Sequence, residues 1–180
     1  RDLHLFARRQ RLMCLSVSTK MTIQVGDKVP STFFKVMTDD GPKDLSGDEV
    51  FGGKKVVFFA VPGAFTPGCS MTHLPGFVVN SDAIKAKGVD TIACMAVNDA
   101  FVMGAWGKAQ NADEILMLAD GNGEFARATG LTLDASGFGL GERSTRFSMI
   151  VDDGKLIQLN VESNPSEMDV SSAEHMLGQL

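Results

Sequence analysis

Apolar runs, broken by glycine, proline and paired acids, give the chain its first outline. Residues 54 to 60, Lys-Lys-Val-Val-Phe-Phe-Ala, are β-branched and aromatic and too short for a helix, which predicts a buried strand. Residues 89 to 97 and 115 to 119 repeat that pattern as further core strands. Residues 32 to 37 predict a short strand ahead of them, ending at the turn formers Asp39-Asp40-Gly41-Pro42, and a brief helical or irregular piece then runs to Gly52-Gly53. Between the strands the period changes. Phe77, Val78 and Ile84 recur at helical spacing over residues 70 to 87, where Pro75 must kink or divide the helix and Gly88 closes it. Asn98-Asp99 is an N-cap pair for a helix through Phe101, Val102, Ala105 and Trp106. A short helix is expected over residues 125 to 129, and a long loop over residues 131 to 142. Residues 145 to 151 and 155 to 161 flank Asp152-Asp153-Gly154, which predicts an antiparallel hairpin. Ser171-Ser172-Ala173-Glu174 fits a capping box that starts a helix through Met176 and Leu177. Strands and helices alternate and end in a hairpin, so the fold class is α/β, a central mixed β-sheet flanked by helices.

Length and composition narrow the function. With 180 residues, 44% of them hydrophobic, the chain holds enough apolar material for one ordinary domain, assigned to residues 21 to 180. Seventeen Lys and Arg against 22 Asp and Glu leave a net charge of −5, and no basic cluster follows residue 20. Neither nucleic acid nor a membrane is therefore an expected partner, whereas a small solute is. Three cysteines, Cys14, Cys69 and Cys94, lack the number and spacing of a disulfide scaffold or a zinc site. No metal or organic cofactor is expected, and a reducing, cytoplasmic setting fits. Residues 1 to 20 differ in kind: Arg1, Arg8, Arg9, Arg11 and Lys20 face a single acid, Asp2, ahead of Met21. They read either as an upstream tail or tag, or as a presequence for mitochondrion or plastid.

The chemistry concentrates at Val-Pro-Gly-Ala-Phe-Thr-Pro-Gly-Cys-Ser-Met-Thr, residues 61 to 72. This loop leaves the end of a core strand and sets Cys69 at or near the first turn of a helix, whose free N–H groups and dipole favour an anion. The anion would be a thiolate, and the surrounding turn residues suggest that the sulfur is poorly covered. A free cysteine of pKa about 8.5 is only about 3% thiolate at pH 7. Lowering such a pKa to about 6 raises that fraction roughly 30-fold, but the weaker nucleophile returns roughly 10-fold of it. The larger acceleration must come from fixed donors that stabilise charge on a leaving oxygen.

Pro62, Thr66 and Cys69 make a Pro-x-x-x-Thr-x-x-Cys signature, followed by His73-Leu74-Pro75-Gly76-Phe77 and, on a later strand, Arg146-Phe147-Ser148-Met149. On these residues the chain from 22 to 180 closely resembles the type II, or fifth-class, peroxiredoxins, thiol peroxidases of the thioredoxin-like fold. The resemblance implies that Cys69 is the peroxidatic cysteine, that Thr66 and Arg146 complete its pocket, and that Pro62 shields the thiolate from water. Its substrates would be hydrogen peroxide and organic hydroperoxides. A homodimer is implied, with Phe65, Phe101 and Phe138 available to its contact. Taken singly, each residue has a plainer role: Arg146 a solvated strand charge like Arg143, Thr66 a turn residue, Cys69 a small core residue. His73 reads as a satisfied helix histidine that supports the pocket from behind, with a base on the Cys69 face as its other role.

Cys94 lies 25 residues after Cys69 and resembles the second cysteine of the plant-type members; the segment 166 to 171, where animal-type members carry theirs, has none. Cys94 is thus either the resolving cysteine or a core residue, in which case glutaredoxin, glutathione or thioredoxin reduces Cys69 directly. A thiol-dependent peroxidase is the expected activity. The alternative is a thioredoxin-fold redox sensor or holdase in which peroxide turnover is incidental. A dithiol oxidoreductase does not fit, because Thr66 stands where its first cysteine would be.

Overall fold

The computed structural model describes residues 22 to 180, so the readings of residues 1 to 20 and of Cys14 lie outside it. The described chain runs β1 (Phe33–Thr38), β2 (Gly41–Ser46), α1 (Gly47–Phe51), β3 (Lys55–Ala60), a π-helical turn (Cys69–His73), α2 (Leu74–Val79), α3 (Ser81–Ala86) and β4 (Thr91–Ala96). It continues through α4 (Ala100–Ala109), β5 (Leu116–Ala119), α5 (Glu124–Thr129), β6 (Thr132–Asp134), β7 (Glu142–Ser144), β8 (Phe147–Asp152), β9 (Lys155–Val161) and α6 (Ala173–Leu177). Seven strands form one sheet in the order β2-β1-β5-β4-β3-β8-β9, with β3, β4 and β5 parallel and the outer pairs antiparallel. Sheet and helices make the mixed α/β, thioredoxin-like architecture.

β3 explains why its run is continuously apolar. Val57 and Phe59 point to one face, where they pack with Phe77, Ile84, Trp106 and Met176 from α2, α3, α4 and α6. Val56 and Phe58 point to the other, against Phe51 of α1 and Phe125 of α5. A strand covered on both faces has no solvent side to mark with polar residues. β8 and β9 form the expected hairpin, and Asp153 (φ 47°) and Gly154 (φ 78°) both take the left-handed backbone that its tight turn needs. Asp99 caps α4 as expected, accepting from Val102 N at 2.8 Å.

Four local expectations fail for physical reasons. Gly41 and Pro42 already belong to β2, a polar strand paired only with β1 at the sheet edge, where proline is tolerated. Residues 131 to 142 are not all loop: β6 and β7 pair as a small second sheet, each too short to show a period. The C-terminal helix is capped by Ser172, which accepts from His175 N at 3.2 Å, one residue later than the predicted box. Ser171 is held elsewhere. The helix after Cys69 is not divided at Pro75. The chain passes through the π-helical turn, with Leu74 N–H reaching Cys69 O, and Pro75 sits in the first turn of α2, where its missing N–H costs little. The break falls at Asn80.

Candidate active site

The loop after β3 is fixed from three sides. Ala64 N donates to Asn98 Oδ1 at 2.9 Å, tying the loop to the end of β4. Phe65 has φ 64°, a left-handed conformation costing a bulky residue roughly 1 to 2 kcal/mol, and leans on Trp106 with ring centroids 6.5 Å apart. Trp106 Nε1 in turn donates to Ser70 Oγ at 2.9 Å. Gly63 is closely approached, since a Cβ there would lie 3.1 Å from Thr66 Cγ2 and would push that methyl aside by a few tenths of an ångström. The Thr66 hydroxyl donates to Gly63 O at 2.7 Å, which spends its proton and leaves its lone pairs to accept. Pro67 and Gly68 begin the helix, so Cys69 stands in its first turn, where backbone N–H groups have no intrahelical carbonyl to meet.

Arg146, immediately before β8, reaches back across this turn. Its Nη2 donates to Cys69 Sγ at 3.2 Å, its Nη1 to His73 Nδ1 at 2.8 Å, and its Nε to Pro165 O at 2.8 Å. Only 3% of Arg146 is exposed, which sets aside the solvated strand charge. His73 Nε2 contacts Ser171 O at 2.9 Å. A carbonyl only accepts and a guanidinium only donates, so the ring is the neutral tautomer with its proton on Nε2. His73 therefore holds Arg146 and has no free nitrogen with which to act as a base.

Burial between Phe59 and Phe77 is the main reason that the His73 pKa falls to about 4; the Arg146 charge lowers it further, against the Ser171 bond and Glu162, which raise it. In the unfolded chain it titrates near 6.5. Between these values the unfolded state binds a proton that the native state refuses, so stability is full above pH 6.5 and is lost as the pH falls toward 4. The loss from this residue is about 3 kcal/mol. Denaturant unfolding at pH 7 and pH 4.5 should show a larger fall for the parent than for His73→Gln. Parallel falls would remove His73 as the cause.

The structure thus brings Cys69, Arg146 and His73 into bonded contact, with Thr66 and Pro62 half-buried on the loop beside them. One expectation is overturned. Cys69 is fully buried, not poorly covered, because the Arg146 side chain lies against the sulfur and the turn seats it in the apolar cluster of Leu74 and Phe77. Cys94, on central strand β4, is fully buried in the same cluster, and both thiols are free. Burial pushes the Cys94 thiol well up; Cys69 adds to this and Arg146 opposes it. Phe65, Phe101 and Phe138 are exposed. Sequence reasoning missed Glu162, Pro165, Ser171 and Trp106. The first three serve through backbone carbonyls or a folded loop, which no residue spacing signals, and Trp106 reads as helix core. Among the described residues no group of three or more His, Cys, Asp or Glu is placed to hold a metal ion, and no helix is long and apolar enough to cross a membrane.

Known proteins resemble the chain over most of its length. Residues 24 to 177 match the family model Redoxin. The chain is 47% identical over 162 residues to Peroxiredoxin-2D of Arabidopsis thaliana, covering 88% of this chain and 98% of that protein. It is 44% identical over 164 residues to the chloroplastic Peroxiredoxin-2E of the same plant, covering 88% of this chain and 70% of that one. Among solved structures, reduced Prx3 of Vibrio vulnificus in complex with H2O2 matches with a TM-score of 0.84 at 53% identity, covering 88% of this chain and 99% of that one. The chain belongs to the Redoxin family and, within it, to the type II peroxiredoxins, thiol peroxidases that act on peroxides with a thiol as reductant.

Proposed function

We propose that Cys69 reduces hydrogen peroxide and alkyl hydroperoxides and that Thr66, Arg146 and Pro62 form its pocket. The observation that carries this reading is the Arg146 Nη2 contact with Cys69 Sγ at 3.2 Å. The thiolate attacks one peroxide oxygen, the O–O bond breaks, and the departing oxygen takes a proton to leave as water or alcohol. Cys69 becomes a sulfenic acid. Three of the five Arg146 N–H groups are engaged by Pro165, His73 and Cys69, which leaves two for the charge developing on oxygen. Thr66, its own proton given to Gly63, accepts from the peroxide O–H. The relative described with bound H2O2 supports this substrate class.

An external thiol, from glutathione, glutaredoxin or thioredoxin, then condenses with the sulfenic acid to a disulfide and water, and a second thiol releases Cys69. Steady-state NADPH consumption with a thioredoxin or glutaredoxin system is the test. Sustained turnover supports the enzyme, whereas a single stoichiometric burst with every reductant leaves the redox-sensor reading. Cys94 enters only if the Cys69 helix opens, because a core-strand thiol and a helix-turn thiol must come to a Cα separation of about 4.4 to 6.8 Å. The π-helical turn over Cys69–His73, more weakly bonded than an α-helix, is where that opening would begin. Where Cys94 resolves Cys69, non-reduced peptide mass spectrometry after one turnover with no external thiol supplied shows a Cys69–Cys94 bond; Cys94 always free returns it to the core.

The exposed aromatics Phe65, Phe101 and Phe138 support a homodimer that meets around the active-site loop. A single sedimenting species at the chain mass would remove it. The cytoplasm is the proposed setting, with a plastid address carried by the arginine-rich residues 1 to 20 as the reading that the chloroplastic relative favours. Fusion of these residues to a fluorescent protein decides between them.

A further inference from the structure

Glu162, the first residue after β9, makes no hydrogen bond to Cys69 or to the Arg146 side chain, yet it is buried, and its Oε1 takes three donors. Asp169 N lies at 2.7 Å, Ser171 N at 2.9 Å and Ser171 Oγ at 2.8 Å. Its own N–H donates to Arg146 O at 3.0 Å, extending the β8 and β9 pairing by one rung. The loop from 163 to 171 is therefore closed on itself by one carboxylate oxygen. Two carbonyls of this closed segment face the pocket: Pro165 O takes Arg146 Nε, and Ser171 O takes the His73 proton. Of the three hydrogen bonds that the guanidinium makes, one ends on Cys69, and the two that aim it there end on this loop and on a histidine that the loop orients.

We infer that Glu162 is a positioning residue of the peroxidase site, which sets the Arg146 guanidinium by closing the loop that carries Pro165 and Ser171. An acid suits the position for a physical reason. Three converging donors at hydrogen-bond distance need an acceptor with negative charge and several lone pairs, and a carboxylate supplies both. These donors hold the Glu162 carboxyl below its ordinary range, although burial alone would raise it. It stays charged through the neutral range, in which His73 stays neutral, and the two do not exchange a proton there. Misplacement of Arg146 by about 1 Å is enough to cost roughly 100-fold where a donor must meet developing charge, so an indirect hold of this kind matters to rate.

The inference rests on the reading of Cys69 and Arg146 above. Glu162→Ala leaves the three donors without their acceptor and frees the loop, and the second-order rate constant for peroxide should fall by about 10-fold or more. The reduced variant should also show weaker ultraviolet thiolate absorbance at neutral pH than the parent, a change that a purely structural loss would not produce in protein that remains folded. In an Arg146→Ala background the same substitution should change the rate by less than about 2-fold, since its effect passes through Arg146. If Glu162→Ala does not fold, Glu162→Asp keeps the charge, shortens the reach by one methylene, and should lose about 3-fold or more. A parent-like rate in whichever variant folds, unchanged thiolate absorbance, or losses that add to those of Arg146→Ala each overturn the role. The underlying site assignment fails separately: it falls if Cys69→Ser keeps its activity, whatever Glu162 does.

Discussion

Cys69→Ser is expected to abolish peroxide consumption while leaving the protein folded. Oxygen replaces sulfur at a fully buried position, so the void is small, and the serine hydroxyl can still take the hydrogen bond that Arg146 Nη2 gives to Sγ. The buried Arg146 loses the thiolate charge but keeps a hydrogen-bond acceptor, and the stability change should stay within about 3 kcal/mol. Chemistry is another matter. A hydroxyl is scarcely ionised at neutral pH, and without a thiolate the O–O bond has no attacking group. The rate should fall below about 1% of the parent, equivalent to about 3 kcal/mol or more of barrier. Cys94 will not replace it, because its thiol is buried on β4 and held protonated by that burial. Peroxide loss followed directly, with Cys94 and Cys14 retained, is the measurement; activity above a few per cent sinks the assignment.

The parts of this site that were legible in the sequence are those where one residue needs a particular local backbone. β3 announces itself by a two-faced apolar run, and the turn after it by Pro62, Gly63 and Pro67, so the place of Cys69 in a first helical turn follows from short-range rules alone. The turn of the β8 and β9 hairpin is as direct, since Asp153 and Gly154 tolerate positive φ. What stayed hidden depends on contacts far apart in the chain. Arg146 and Cys69 are 77 positions apart, and only the motif resemblance, not any spacing rule, pairs them. Burial of Cys69 is not legible in sequence because turn residues describe the local backbone, whereas the guanidinium of Arg146, just before β8, and an apolar cluster do the covering. Pro75, two residues past the end of the π-helical turn, brings no N–H to the helix and so accounts for a weakened ladder there, but not for which residue carries the wider ring.

Polar edges and loops show the same limit. β2 has an edge-strand sequence that any loop could carry, and its pairing with β1 becomes visible only in register, Phe34 opposite Leu45 and Val36 opposite Lys43. Ser171, with Glu174 three residues on, is the better cap in sequence, but Glu162 captures it from nine residues away and the role passes to Ser172. That capture moves the helix start by one residue and turns Ser171 O toward His73. Fold and site are therefore joined at this loop: the residue that fails to cap α6 is the one that fixes the tautomer of the histidine behind Arg146.

Arg146→Ala should lower the second-order rate constant for peroxide by about 30- to 1,000-fold, equivalent to about 2 to 4 kcal/mol, the range for loss of one preorganised donor. The substitution removes two things at once. It takes away the donor on Cys69 Sγ, and with it the two N–H groups left to meet charge on the departing oxygen. It also leaves His73 Nδ1 and Pro165 O without partners in a buried site, at about 1 to 3 kcal/mol for each group left dry. Part of the stability loss will be recovered if water enters the space of the missing side chain. The rate must therefore be referred to folded, alkylatable Cys69 and not to total protein. Arg146→Lys separates charge from shape: an ammonium keeps the charge, but from one point it cannot span Pro165 O, His73 Nδ1 and Cys69 Sγ together. That variant should fall between the parent and Arg146→Ala. A rate constant for Arg146→Ala within about 3-fold of the parent, too small a change for a lost oxyanion donor, would falsify its role in the transition state.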